Sequence, residues 1–399
     1  MKRVRFKRFA ACMLGFATAA AFSACQSGGT SPGSAVGTAY NSTASGDTIK
    51  IGAVIPLSGQ VSSFGQSAKK GLQLLQEQTN NAGGINGKKV EFLIQDDEGK
   101  AATAVTVGQK LINSDKVVAI VGPLTSTSAN SLAPICQKYS IPMVTGTGTN
   151  VNITKAGDYV YRTCFIDPFQ GQVMAKFAAE DLKAKTAALL YNVGDDYSKG
   201  LAESFKASFT SKGGKIVDQE TYNTGDKDFN AQLTKISPRN PDVLFLPEYY
   251  SDVGVIAKEA RNANIKAVFL GGDGWDSTDL FSIGGDAVND GYFSNHYAAD
   301  DTSKEVADFI KSFKAKYANE VPDAMAALNY DAGKVLLQCI QKANSTDAVK
   351  IKDALKNYDG TVVSGHIKFN TDRDAVKAAV IIKTVGGKEK FYKKIQPDT

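Results

Sequence analysis

Short runs of β-branched and other apolar residues alternate along most of the chain with longer stretches in which apolar positions return every three or four residues. The short runs are IKIGAVIPL (49–57), KVEFLIQDD (89–97), VVAIVGP (117–123), IPMVTG (141–146), YVYRTCF (159–165), TAALLYN (186–192), KIVDQETY (215–222), VLFLPEY (243–249), AVFLGGD (267–273) and GYFSNHY (291–297). Each has the length of a buried strand. Between them, stretches such as 65–83, 101–115, 126–140, 168–185, 197–213 and 251–264 predict amphipathic helices. This alternation predicts βα units and mostly parallel sheets. After residue 300 the pattern changes to the helical stretches 303–318, 322–343 and 350–359, then to the strand candidates IKFN (367–370), AVIIKTV (379–385) and FYKKIQ (391–396). These blocks are too small to close a third core, so the tail is expected to complete the two earlier sheets.

The first residues break the pattern. A basic stretch, MKRVRFKRF, precedes AACMLGFATAAAFSA, which is apolar but short for a bilayer span and reads as an export signal over 1–24. Phe22-Ser23-Ala24-Cys25 resembles a bacterial lipoprotein box, in which cleavage leaves a lipidated Cys25 as the new N-terminus. An ordinary secretory cleavage is the other reading. Residues 26–47 are rich in Gly, Ser and Thr and, with Cys25, form a lipidated tether (25–47) whose flexible reach is roughly 25 Å. No other stretch approaches the ~20 apolar residues of a membrane span.

Composition narrows the function class. With 399 residues, 43% of them hydrophobic and 22% charged, the chain can bury a large core, which excludes wholesale disorder and collagen-like architecture. Its length suggests two or three domains. The formal charge of +5 resides in Lys2, Arg3, Arg5, Lys7 and Arg8, so the mature protein has 41 basic and 41 acidic residues. A neutral chain carries no electrostatic footprint for nucleic acid. Beyond Cys12 and Cys25, the cysteines are Cys136, Cys164 and Cys339. Their odd number excludes a pure disulfide scaffold, and their apolar surroundings predict buried, inert thiols.

Motifs for catalysis and cofactors are missing. The two histidines, His296 and His366, have no Cys, His or carboxylate at ligand spacing, so no metal site is expected. His296 reads as a hydrogen-bonded structural residue. There is no GxSxG or SxxK nucleophile. Lys88-Lys89, with Ala82 upstream, does not make a phosphate loop, and TGTGT (145–149) lacks dinucleotide spacing. The glycines of TGTGT are expected to let a ligand approach the backbone. No cofactor and no enzymatic activity are expected.

Hydroxyls and one acid instead gather where strands end. VVAIVGP runs into Leu124-Thr125-Ser126-Thr127-Ser128, IPMVTG into Thr147-Gly148-Thr149, and AVFLGGD ends at Asp273. In open parallel sheets the ligand crevice lies outside these ends. A helix starting near Ser126 would aim N–H groups into it, and the hydroxyls would make a carboxylate receptor without any arginine. Asp273 supplies the opposite charge, so the pair suits a zwitterion. Taken singly, Ser126 and Thr127 read better as helix caps, Asp273 equally as a turn residue, and Tyr197 and Tyr249 also as sheet-edge cover.

In order and spacing, IKIGAVIPLSG, SFGQSAKKGLQLLQEQTNNAGGINGKKVEF, QDDEG, VVAIVGPLTSTSA, IPMVTGTGT, VYRTCFIDPFQG, DDYSKGLAESF, PDVLFLPEYYSDVG and FLGGDGWDS resemble the branched-chain amino-acid-binding proteins of bacterial ABC importers, from about Thr48 to the C-terminus. The resemblance implies the type I periplasmic binding fold, an α/β architecture of two Rossmann-like lobes with parallel-sheet cores joined by a three-strand hinge. The lobes are expected to be 48–167 plus 297–370 and 168–296 plus 371–399. It implies that Ser126 and Thr149 hold a ligand carboxylate, that the Thr147 carbonyl and Asp273 receive the ammonium, and that Tyr197 and Tyr249 close from the second lobe. Asp273 stands where many relatives carry Glu, and Phe64 replaces a common tyrosine. The pocket wall is expected around Phe64, Leu124, Trp275 and Met325. The implied function is extracytoplasmic capture of a branched-chain amino acid by hinge closure, by a monomer delivering to membrane permease subunits. A sensory or uptake module for a short amide, urea or small carboxylate is the alternative, and a secreted enzyme is a third class that the absent catalytic constellations disfavour.

Overall fold

The runs of alternating character fold into two sheets, seen in a computed structural model that describes residues 46–397. Strands β1 (Thr48–Ile55), β2 (Lys89–Asp96), β3 (Ala119–Val121), β4 (Met143–Thr145) and β5 (Val160–Arg162) form an all-parallel sheet in the order β2-β1-β3-β4-β5. The second sheet takes β6 (Thr186–Asn192), β7 (Lys215–Tyr222), β8 (Val243–Phe245), β9 (Val268–Gly271) and β10 (Tyr292–Asn295) in parallel. Near the C-terminus, β13 (Ala379–Val385) and β14 (Lys388–Ile395) extend its edge antiparallel, giving the order β14-β13-β10-β9-β8-β6-β7. The tail therefore adds full strands to the second sheet, and at the first it makes one parallel bridge, Asp374 beside Arg162 at the end of β5. IKFN lies in β12 (Gly365–Lys368) and just beyond it, and β12 pairs with β11 (Asp359–Val362) as a separate hairpin.

Continuous apolar runs produce central strands because both faces are covered by helices. In β1 the run from Ile51 to Ile55 is buried without a break. Helix Ser62–Asn81 packs along helix Ala324–Ala343, and the approach is close: a Cβ on Gly71 would lie 2.2 Å from the Ala326 carbonyl oxygen. The tail helices thus cover the first sheet rather than form a core of their own. One buried apolar cluster runs from Phe64, Leu124 and Met325 on that side to Tyr250, Leu246 and Phe293 on the other, so the two sheets' layers meet across a closed cleft.

The chain passes between the sheets after β5, after β10 and before β13. A buried ion pair ties two of these crossings: Arg162 Nε donates to Asp374 Oδ1 at 2.6 Å. The same guanidinium donates through Nη1 to the Gly148 carbonyl at 2.8 Å, joining the crossings to the TGTGT loop. Such a pair satisfies itself while packed and would be costly to break on one side only.

Candidate functional site

Two loops of the first sheet are knitted together by their own hydroxyls. Thr145 Oγ1 donates to the Pro123 carbonyl (2.7 Å) and accepts from Gly148 N–H (2.9 Å), while Thr147 Oγ1 donates to the Leu124 carbonyl (2.8 Å). Ser126 Oγ accepts from Asn150 N–H at 3.2 Å. Helix Ser126–Lys138 begins here, and its N-cap residue Thr125 makes no side-chain capping bond. Capping thus does not account for these hydroxyls. The first-turn N–H groups face no intrahelical acceptor, as at any helix start. Beside them the buried Thr125 hydroxyl has no hydrogen-bond partner, while that of Thr149 faces the Asp167 carboxyl.

The glycines of TGTGT serve the protein's own packing, contrary to the expectation of a ligand against them. A Cβ at Gly146 would meet the Leu328 carbonyl at 2.7 Å, and one at Gly148 would meet Ile153 and Thr145 Oγ1 at 2.8 and 3.0 Å. Close backbone approach is real there, but the approaching groups belong to the chain itself.

Across the cleft, Asp273 begins a short turn after β9 and is 3% exposed. His296 Nε2 lies 3.0 Å from its Oδ2, and its Oδ1 has no partner. Glycines on both sides of Asp273 make room for Tyr197, whose hydroxyl accepts from Gly274 N–H at 3.0 Å and would lie 2.6 Å from a Cβ at Gly272. Tyr197 stacks on Tyr249 (centroids 5.2 Å, 23° between planes), and Phe64 meets Tyr249 edge-on at 6.0 Å. Burial, then the nearby Asp273 carboxylate, pushes the Tyr197 phenol far above its ordinary range, so it stays a neutral hydrogen-bonding group.

These residues line one small cavity of about 20 Å³. Its wall contains Phe64, Leu124, Ser126, Thr147, Tyr197, Tyr249 and Asp273, together with Met325, Thr125 and Gly274. Thr149 is not part of that wall; it is fully buried behind the loop, and its carbonyl accepts from Asp167 N–H at 3.0 Å. Trp275 also lies elsewhere. It is fully buried in the second lobe, against Phe293, with Nε1 donating to the Leu246 carbonyl at 2.9 Å. An apolar ring next to Asp273 in sequence is turned away because a short 3₁₀ turn separates their directions.

The lobes are latched together by direct bonds that the sequence did not reveal. Thr127 Oγ1 donates to Asp195 Oδ2 and accepts from Asp196 N–H, both at 2.9 Å, and Asn130 Nδ2 donates to Asp196 Oδ2 at 2.6 Å. On the other flank, Gln60 Nε2 donates to Asp252 Oδ1 at 2.5 Å, and Ser63 bonds Asp279 and Tyr250. Only the acids of DDYSKG opposite the hydroxyls of LTSTS hint at this, and no spacing rule joins segments so far apart. His296 likewise reads as structural, with nothing in the sequence pairing it to Asp273.

Among the described residues no cluster of His, Cys, Asp and Glu is arranged to hold a metal ion. Cys136, Cys164 and Cys339 are free and buried, and burial raises their thiols, Cys164 and Cys339 to about 12. Among the described residues no helix is long and apolar enough to cross a membrane. The expected export signal, Cys25 and most of the tether lie outside the described residues.

The sequence pattern of the family described as "Periplasmic binding protein" matches residues 48–388. A Leu/Ile/Val-binding protein homolog from Brucella melitensis is 34% identical over 75% of this chain and 80% of that protein. A leucine-, isoleucine-, valine-, threonine- and alanine-binding protein of Pseudomonas aeruginosa is 32% identical over 82% of this chain and 87% of that protein. Among solved structures, a leucine-binding protein of Thermotoga maritima superposes with a TM-score of 0.84 at 34% identity, over 88% of this chain and 99% of that one. A branched-chain amino acid transporter substrate-binding protein of Streptococcus pneumoniae, in complex with isoleucine, gives 0.83 at 32%, over 88% of this chain and 100% of that one.

Proposed function

This chain belongs to the periplasmic binding protein family, and from that premise we propose that it captures a branched-chain amino acid outside the cytoplasm and delivers it to an ABC importer. The carrying observation is a pair of opposite poles in one closed cleft. Hydroxyls and helix-start N–H groups around Ser126 stand on one side, and the unpartnered Oδ1 of Asp273 stands on the other. An α-carboxylate suits the first pole and an ammonium the second. Phe64, Leu124 and Met325 offer an apolar wall to an aliphatic side chain between them.

In this reading Ser126 and the helix-start N–H groups hold the carboxylate, with Thr149 supporting the loop from behind, and the Thr147 carbonyl and Asp273 hold the ammonium. Tyr197 and Tyr249 cover the guest as the second lobe swings shut about the three crossings. No covalent step is involved. The family is extracytoplasmic; a lipid on Cys25 and the tether after it would keep a monomer beside its permease.

A thermal-shift panel tests the proposal. Leucine, isoleucine and valine at about a thousand times their dissociation constants are expected to stabilise the fold by roughly 4 kcal/mol. Acetamide, urea and benzoate are expected to do nothing. Stabilisation by one of those three, with none from any amino acid, would overturn it.

A further inference from the structure

We propose that His296 is the positioning residue of Asp273, and that a proton on its ring competes with the guest's ammonium for that carboxylate. Binding is then linked to proton release at the hinge. The inference rests on the reading above, in which an ammonium sits at Asp273.

His296 follows β10 directly and occupies the second of the three crossings, 3% exposed. Its ring stacks on Phe165 of the first crossing, with centroids 3.5 Å apart and planes 21° from parallel. It lies within electrostatic reach of Lys377 of the third crossing, which is itself buried. His296 therefore lies on one crossing and stacks on another, while Nε2 reaches Asp273 Oδ2 at 3.0 Å. With a neutral ring, an Nε2–H donor fixes Oδ2 and leaves Oδ1, which makes no hydrogen bond in this closed form, available to the guest. Nδ1 also has no partner, so a proton arriving there would find no acceptor among the protein's groups.

The charged and titratable groups around the ring are few. Asp273 favours its protonated form, and Lys377 opposes it. Asp167 and Cys164 of the first crossing and Tyr197 of helix Asp196–Ser211 interact electrostatically with Asp273. On its other side His296 lines a cavity that also holds Asp301, Glu305 and Lys394. Burial is the largest influence and holds the ring below the ordinary histidine range, so in this closed form it is neutral at pH 7.

One carboxylate cannot serve two cations equally in a dry site. A guest ammonium at Oδ1 repels a proton on the ring, so binding lowers the ring's pKa and sends that proton to the buffer. By linkage the protonated ring lowers affinity for the guest, at most tenfold for each pH unit between the ring's pKa in the free protein and its lower pKa in the complex.

The test uses the full chain labelled at histidine and carrying His366→Asn, which leaves His296 as the one observable ring. Its resonance is followed from pH 5 to 8 with and without leucine. The midpoint is expected to fall by at least one pH unit when leucine saturates. Calorimetry on His296→Gln, which keeps a donor but cannot titrate, is expected to lose the wild-type acid dependence while binding about three- to tenfold more weakly at pH 8. Leucine binding with an unmoved midpoint, or a Gln variant with the wild-type acid slope, overturns this inference alone. Absence of binding at every pH overturns the amino-acid reading and this inference together.

Discussion

Asp273→Asn isolates the charge at the ammonium pole. Asparagine keeps the shape of the side chain and an oxygen to which His296 Nε2–H can still donate, but it removes the negative charge. Asp273 is 3% exposed in a closed cleft, so water cannot substitute for it. An ammonium left there without its counter-charge costs about 3 to 5 kcal/mol. At about 1.4 kcal/mol per decade, the dissociation constant for leucine should rise roughly 150- to 4000-fold. The free protein should not suffer, because the substitution removes a buried carboxylate oxygen that has no partner. Titration calorimetry at pH 7.5 reads the affinity, and urea unfolding of the ligand-free variant reads the fold. A dissociation constant within fivefold of the parent, in a variant that unfolds normally, would refute the assignment of Asp273 as the guest's counter-ion.

Thr127→Val deletes both cross-cleft bonds to Asp195 and Asp196 in a near-isosteric change. It should weaken leucine binding about tenfold, from about 1.5 kcal/mol of lost hydrogen bonding, chiefly as faster release in stopped-flow, with no change in the ligand-free unfolding midpoint. Asp167 is fully buried with Oδ2 unpartnered, and burial raises its carboxyl to about 7. The folded state then holds a proton that the unfolded chain releases near pH 4, so stability is greatest in acid and falls by about 1.4 kcal/mol per pH unit as pH rises from about 4 to 7. Asp167→Asn should remove this share of the slope, seen as a smaller difference between urea midpoints at pH 5 and pH 8. Trp275→Ala should destabilise the fold by about 3 to 5 kcal/mol in urea unfolding, yet leave leucine affinity near the parent value in whatever fraction remains folded, since the indole packs in the core and not on the cavity.

Much of the architecture was legible because local signals and global demand agreed. A buried parallel strand must be apolar on both faces, so VVAIVGP and TAALLYN announce themselves, and each is followed by a helical stretch of the right length to cover it. IKFN was harder. Four residues of strand character can extend a sheet edge or fold back on a neighbour, and hairpin pairing with Asp359–Val362 won. The cavity wall at Ser126, Thr147 and Asp273 was legible for a geometric reason: parallel strand ends always open toward one crevice. Trp275 does not join that wall because proximity in sequence does not state direction, and the turn after β9 sends it into the core.

By itself the sequence determined the periodicities, hence which segments become strands and helices, and the residue types available at the strand ends. Those follow from local sterics and the need to bury apolar faces. Only the tertiary structure decided which distant groups meet: Thr127 with Asp195, Arg162 with Asp374 and Gly148, and His296 with Asp273. Such pairings depend on how two lobes close and where three crossings converge, and no periodicity along the chain encodes a distance between segments that only folding brings together.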